Sequence, residues 1–422
     1  MHRGLYRTTL SNAIYTLSNG VVRVVSWQLL MLASIFSRIL FIGCLIAALT
    51  ACAEQSAKDT SRSVDQQAAK EAEPTPSFTE LVPTVTDTPI PTPAEPSPTE
   101  APAAASPIDY AAVRPYEVGQ IMIIMYHGLV ETEAEEETYQ RSAANFQNDL
   151  QTFYDRGFRL ISMKDWIENN ITTPAGYTPL ILTFDDGKAS SFSLENADGE
   201  LRPVKDCVVD IMTQFSIEHP DFGNTAMFFI NQNPFKGEGT LAERLNYLLD
   251  HGYELGNHTM SHKQMSKMNA DEIQAEIGGI DRMIKEAVPE YEPYALSYPF
   301  GERPLKDLRG YVLNGVWEGN EYHYKIAVRE GQSGPPSAVN REGFDPINVP
   351  RVRGSNNQET DMGWTLKQYE TSPELRYVSD GNPDRIAVPA EYADNVDMES
   401  LNGKELFIYE AKGDQVIDAG QA

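Results

Sequence analysis

The chain is poor in cysteine, in tryptophan and in positive charge. Three cysteines occur in 422 residues, at Cys44, Cys52 and Cys207, and four tryptophans. So few thiols exclude a disulfide framework, and the fold must rest on its core, for which a 41% hydrophobic composition is sufficient. Lysine and arginine total 34 against 61 acids, a formal charge of −27. That deficit argues against nucleic acid as a partner and against electrostatic adhesion to anionic lipid. The apolar run at residues 39–51, ILFIGCLIAALTA, falls short of the ~20 residues a membrane-spanning helix needs. No internal repeat is found.

What that short run does resemble is a secretory signal. Arg38 precedes it, small residues end it, and Leu49-Thr50-Ala51-Cys52 reads as a bacterial lipobox. The expectation is a signal peptide over 1–51, lipidation of Cys52, and an extracytoplasmic protein held on the cell membrane by lipid alone. The leader is long ahead of its apolar core, which makes Met31 a candidate true start. Residues 52–107 read as a tether: Pro74–Pro107 holds ten prolines in 34 residues, favours extended polyproline geometry and could span roughly 100 Å. From Ile108 to Ala422 the composition is globular.

Within 108–422, buried strands alternate with amphipathic helices. GQIMIIMYHG (119–128), LILTF (180–184), TAMFFIN (225–231), YALSYPFG (294–301) and INVPRV (347–352) read as strands. Phe146, Leu150 and Phe153 fall at helical spacing. Thr240 to Glu243 and Asn269 to Glu272 form capping boxes that open two more helices. This alternation predicts an α/β fold with a parallel sheet and outer helices, and the length favours a distorted (β/α) barrel. In such folds functional groups gather at the carboxyl ends of the strands. Tyr126-His127, Asp185-Asp186, His258 and Tyr298 to Gly301 sit at those ends.

Thr183-Phe184-Asp185-Asp186-Gly187 ends an apolar run in two adjacent carboxylates. Alone, Asp-Gly is a turn former. His258 and His262 lie in an H-x3-H spacing, which on a helical turn would aim both imidazoles at one spot. Two imidazoles and one carboxylate make three zinc ligands with a fourth position left for water. A cation there would acidify water and polarise a carbonyl, which suits hydrolysis.

Together, TFDDG and His258-Thr259-Met260-Ser261-His262, with AMFFI (226–230) between them, resemble the NodB-homology polysaccharide deacetylases, carbohydrate esterase family 4. The resemblance spans roughly residues 119–355 and implies a distorted (β/α) barrel. It implies that Asp185 is the general base, that Asp186, His258 and His262 hold a divalent metal, and that the Phe300 backbone N–H, in Tyr298-Pro299-Phe300-Gly301, stabilises the oxyanion. The metal expected is Zn²⁺, with Co²⁺ or Ni²⁺ as alternatives.

Three departures matter. Ser297 stands where the third motif has the arginine that orients the base; Arg351 and Arg353 are candidates to replace it. The fourth motif has only a loose counterpart ending in Trp364, a substrate or structural residue. No histidine follows His323 to supply the usual general acid. The M-Y-H element at Met125-Tyr126-His127 resembles that of the poly-N-acetylglucosamine deacetylases, a permuted branch in which this histidine protonates the leaving amine.

The expected function is therefore metal-dependent removal of N-acetyl groups from an N-acetylglucosamine-containing polysaccharide by a monomer. O-deacetylation of xylan-type glycans and a catalytically impaired glycan-binding member are the alternatives. Residues 188–224 read as an inserted flap or a longer loop and helix. After about 365 the chain resembles nothing we can place, and VDMESLNGKELFIYE suggests a final strand added to the same domain.

Overall fold

The computed structural model describes residues 108–418 except 332, 333, 357, 413 and 414. The expected signal, the lipidation expected at Cys52 and the expected tether all lie outside the described residues. Among the described residues no helix is long and apolar enough to cross a membrane.

Eight parallel strands build the main sheet: β1 (Met122–Tyr126), β2 (Phe158–Leu160), β3 (Thr178–Asp185), β4 (Met227–Ile230), β5 (Glu254–Asn257), β6 (Ala295–Ser297), β7 (Ile326–Glu330) and β8 (Val349–Arg353). Seven of them close a ring in the order β1-β8-β7-β6-β5-β4-β3, with β3 returning to β1. The strand β2 lies outside the ring, paired with the start of β3, while β4 pairs with the end of β3. The wall is split at that point, which is the distortion of the (β/α) barrel.

Alternation along the strands sorts the core into two layers. Ile121, Ile123, Ile181, Met227, Phe229, Ala295, Val328 and Val349 fill the ring. Met122, Ile124, Leu180, Leu182, Phe184, Phe228 and Val352 face outward onto the helices. These are α1 (Ala143–Asp155), α2 (Val208–Glu218), α3 (Leu241–Asp250), α4 (Ala270–Ala287) and α5 (Met362–Thr371). Helices α3 and α4 open on the capping boxes at Thr240 and Asn269 that their sequences predict. Phe229 fills so much of the ring that a Cβ at Gly256 would lie 2.4 Å from it, so only glycine fits there.

The long stretch after TFDDG is a hairpin, Ser193–Ala197 with Glu200–Pro203, followed by α2. Cys207 is buried just before that helix, and the His219 ring packs on Tyr154 and Phe215. The expected C-terminal strand exists as Glu405–Lys412, but it does not join the barrel. It pairs with Arg385–Pro389 and Gln415–Asp418 in a separate three-stranded sheet.

This small sheet is stitched to the start of the domain through Glu117. The Glu117 carboxylate is buried and accepts bonds from the Ala387 N–H at 2.8 Å, the Asp380 N–H at 3.1 Å and the Tyr377 hydroxyl at 3.3 Å. Burial, then the charge of Asp380 beside it, pushes the Glu117 carboxyl up to about 8. A folded-state value raised above the ordinary carboxylate value stabilises the fold at low pH, and the contribution is lost as pH rises toward 8. Thermal unfolding from pH 5 to 8 should therefore show falling stability, and Glu117→Gln should flatten that slope. An unchanged slope in the variant would remove Glu117 as its source.

Candidate active site

The carboxyl end of the ring collects the charged residues. Asp185 ends β3 on the inward-facing side, in step with Ile181 and Thr183. Ser297 ends β6 and Arg351 lies on β8, both turned inward in the same layer. Arg351 grips Asp185 with two bonds, Nη1 to Oδ1 at 2.7 Å and Nη2 to Oδ2 at 2.6 Å. The same guanidinium donates to the Thr183 hydroxyl at 2.9 Å and the Ser297 hydroxyl at 2.7 Å, and Ser297 donates to Asp185 Oδ2 at 3.1 Å. The Thr183 hydroxyl in turn donates to the Ile124 carbonyl at 2.8 Å, tying β3 to β1. Beneath the guanidinium lies the Phe229 ring, 5.4 Å from its carbon.

Of the two candidate arginines, then, only Arg351 meets Asp185. Arg353 turns to Asp361 at 2.7 Å, Gln358 at 3.0 Å and Glu330 at 3.1 Å. Burial alone would push the Asp185 carboxyl up, yet Arg351, with His258 and His127 nearby, holds it well below the ordinary carboxylate range. It is ionised at any physiological pH.

Strand alternation would send Asp186 outward. Instead it takes a left-handed backbone, φ 72°, followed by Gly187 at φ 60°, and its carboxylate returns to the barrel mouth. A Cβ at Gly187 would meet Pro234 at 2.7 Å, so this turn requires glycine. Asp186 Oδ1 lies 3.5 Å from His258 Nε2 and 3.5 Å from His262 Nε2. One donor atom from each of the three residues falls within 4.8 Å of the others.

The H-x3-H segment is not a helical turn, as its spacing suggested. β5 ends at Asn257, whose side-chain oxygen accepts the Thr259 N–H at 2.8 Å, and Thr259 and His262 both adopt positive φ. That irregular loop, rather than a helix face, brings the two rings to 4.8 Å.

The tautomer of His258 follows from its contacts. Nδ1 faces the Ser297 carbonyl at 2.9 Å and must donate to it, which leaves Nε2 as a lone pair. That Nε2 is buried with no hydrogen-bond partner among the described residues and points at the two aspartates. Burial lowers the His258 pKa and keeps the ring neutral. A neutral imidazole aimed at a carboxylate is a mismatch unless something positive lies between them. Two imidazole nitrogens and one carboxylate oxygen fit a divalent cation of the zinc type. Lys188 holds the second oxygen of Asp186 at 3.0 Å, leaving Oδ1 to face the histidines.

His127 follows β1 at the same mouth. Burial lowers its pKa, Asp185 and Asp186 raise it, and Arg351 and Lys188 lower it further. Phe300 is 57% exposed at φ 59°, with its ring 4.7 Å from that of His262. The Tyr298 side chain faces away from the mouth: it is buried and its hydroxyl donates to the Ile347 carbonyl at 3.0 Å. Trp364 sits on α5, 37% exposed. Three participants were not singled out by sequence reading. Ser297 was read only as a lost arginine, Lys188 directly follows TFDDG, and Tyr139, whose ring lies 5.1 Å from that of His127, carries no local signal.

Residues 174–312 match the family described as polysaccharide deacetylase. A chitooligosaccharide deacetylase of Bradyrhizobium sp. (strain ANU 289) is 26% identical over 135 residues, 32% of this chain. The aligned part spans about half, 52%, of that relative's length. Among solved structures, a Streptococcus pyogenes deacetylase, PplD, in complex with acetate covers 60% of this chain and 98% of its own at 17% identity, TM-score 0.44. IcaB from Ammonifex degensii covers 59% of this chain and 98% of its own at 16% identity, TM-score 0.42.

Proposed function

We propose that this chain is a divalent-metal-dependent hydrolase that removes N-acetyl groups from an N-acetylglucosamine-containing polysaccharide. The observation that carries the reading is the division of labour between adjacent aspartates. Asp186 shares a donor cluster with His258 and His262, while Asp185 is kept out of it by a buried arginine. A cation held by Asp186, His258 and His262 supplies positive charge that acidifies water and polarises an acyl carbonyl.

Asp185 takes the proton from the attacking water. Its Oδ2 already accepts from Arg351 and Ser297, whereas Oδ1 accepts from Arg351 alone and keeps a free lone pair. The Arg351 pair keeps Asp185 ionised, so that it stands ready to accept the proton. The backbone N–H of Phe300 is assigned to the developing oxyanion. His127 is assigned to protonate the leaving nitrogen, within the field of both aspartates.

The test is acetate release by residues 108–422 from N-acetylglucosamine oligomers, from a β-linked N-acetylglucosamine polymer and from O-acetylated xylan. Chelation should abolish release, and Zn²⁺ or Co²⁺ should restore it. His258→Ala should remove tight metal binding measured by calorimetry. Release from xylan alone would replace the amide reading with an ester one, and a fully metal-loaded domain that releases nothing from any glycan would leave only a binding protein.

A further inference from the structure

His127 is an unusual acid because, among the described residues, no hydrogen bond holds its ring. Its Nδ1 is buried with no partner among the described residues. The residue is tied through its main chain, where the His127 carbonyl accepts the Ser191 hydroxyl at 2.5 Å. Without such a bond the ring depends on packing for its orientation, and a proton donor that turns away misses its target.

What touches the ring is Tyr139. A short parallel pairing sets Gly128 opposite Gln140, so the residues one step earlier, His127 and Tyr139, come side by side. Their ring centroids lie 5.1 Å apart at an interplanar angle of 48°. Tyr139 is 42% exposed, yet it is not loose: its hydroxyl donates to Glu330 Oε1 at 2.8 Å, across 191 residues of sequence. Glu330 ends β7 and is itself fixed by Arg353, which is locked to Asp361. A chain of contacts thus runs from the ends of β7 and β8 to an aromatic ring beside His127.

We propose that Tyr139 is the positioning residue of His127, pinned by Glu330, holding the imidazole in its donating orientation and supporting its charged form. This rests on the assignment of His127 as the general acid. A cation within about 6 Å of an aromatic centroid is stabilised by the ring's electron-rich face. The other charges facing His127 are mixed, with Asp185 and Asp186 favouring the imidazolium and Arg351 and Lys188 opposing it. Glu330, paired with Arg353, acts here as the acceptor that fixes the tyrosine hydroxyl.

Three variants of the metal-loaded domain test this, Tyr139→Leu, Tyr139→Phe and Glu330→Gln. His127 is followed by its imidazole NMR signal, assigned by its loss in His127→Gln. Tyr139→Leu is expected to lower kcat roughly tenfold with KM little changed, and to move the His127 titration to lower pH. Glu330→Gln, which keeps an acceptor for the Tyr139 hydroxyl, should stay near the parent, and Tyr139→Phe, which keeps the ring but loses the pin, should fall between the parent and Tyr139→Leu. A Tyr139→Leu protein with unaltered kcat and titration overturns the proposal. So does one in which only KM rises, since that marks a sugar-stacking surface instead. If no variant and no parent releases acetate, the functional reading fails, while the NMR titration still decides whether Tyr139 governs His127.

Discussion

Replacing Asp185 by Asn is expected to lower acetate release by roughly 10²–10⁴-fold, the usual contribution of a positioned general base, while the domain still binds one divalent ion. The two halves of that outcome come from the geometry. Asp185 Oδ2 is 3.8 Å from His258 Nε2 and both its oxygens are engaged by Arg351, whereas the three mutually close donor atoms belong to Asp186, His258 and His262. Loss of the charge at Asp185 therefore removes a proton acceptor and spares the donor cluster. Calorimetry with Zn²⁺ and an acetate assay on the same preparation separate the two. If Asp185→Asn abolished metal binding instead, Asp185 would be a ligand and the proposed division of labour would be wrong. Because the variant also leaves Arg351 facing a neutral amide, the assay belongs well below its melting temperature.

The parts of this site that were legible in the sequence are those whose partners lie close along the chain. TFDDG places both carboxylates at one strand end, and His258 and His262 are four residues apart. Their spacing nevertheless suggested a helical turn, because nothing in H-x3-H itself reports that Asn257 closes a turn onto Thr259. Arg351 was visible only as one of two basic residues near the last barrel strand. Choosing between Arg351 and Arg353 needs strand register: β8 enters the ring between β7 and β1, and Val349 and Arg351 point inward while Val352 joins the outer layer. Alternation then allows Arg351 to reach Asp185, but so would any inward residue of that strand, and only closure of the ring fixes the height. Tyr139 was illegible for the same reason in stronger form. Its placement beside His127 depends on a three-residue pairing between two otherwise irregular segments. The small C-terminal sheet was half legible: FIYE reads as a strand, but nothing in its own pattern names Arg385–Pro389 and Gln415–Asp418 as its partners.

The second large effect expected is on stability. Arg351→Met should destabilise the domain by about 3–5 kcal/mol, the range for breaking a buried ion pair from one side. Arg351 is 1% exposed and Asp185 2%, so neither charge can turn to solvent when the other is removed. Chemical denaturation at pH 7 measures the loss. The sign with pH follows from Asp185: a carboxyl whose folded value is depressed stabilises the fold above its unfolded value, and that contribution fades as pH falls through the acid range. The difference between parent and Arg351→Met should therefore shrink on acidification. Lysine is not expected to substitute, since one ammonium cannot reach both carboxylate oxygens, Thr183 and Ser297 from a single point. The double variant Arg351→Met, Asp185→Leu separates stability from chemistry. Replacing both charges by apolar side chains is often neutral or stabilising, so the double variant should recover much of the stability that either single change loses. It should recover no acetate release. If the double variant were as unstable as the sum of the two singles, the pair would not be coupled, and Arg351 would owe its place to Ser297 and Thr183 rather than to the base it grips.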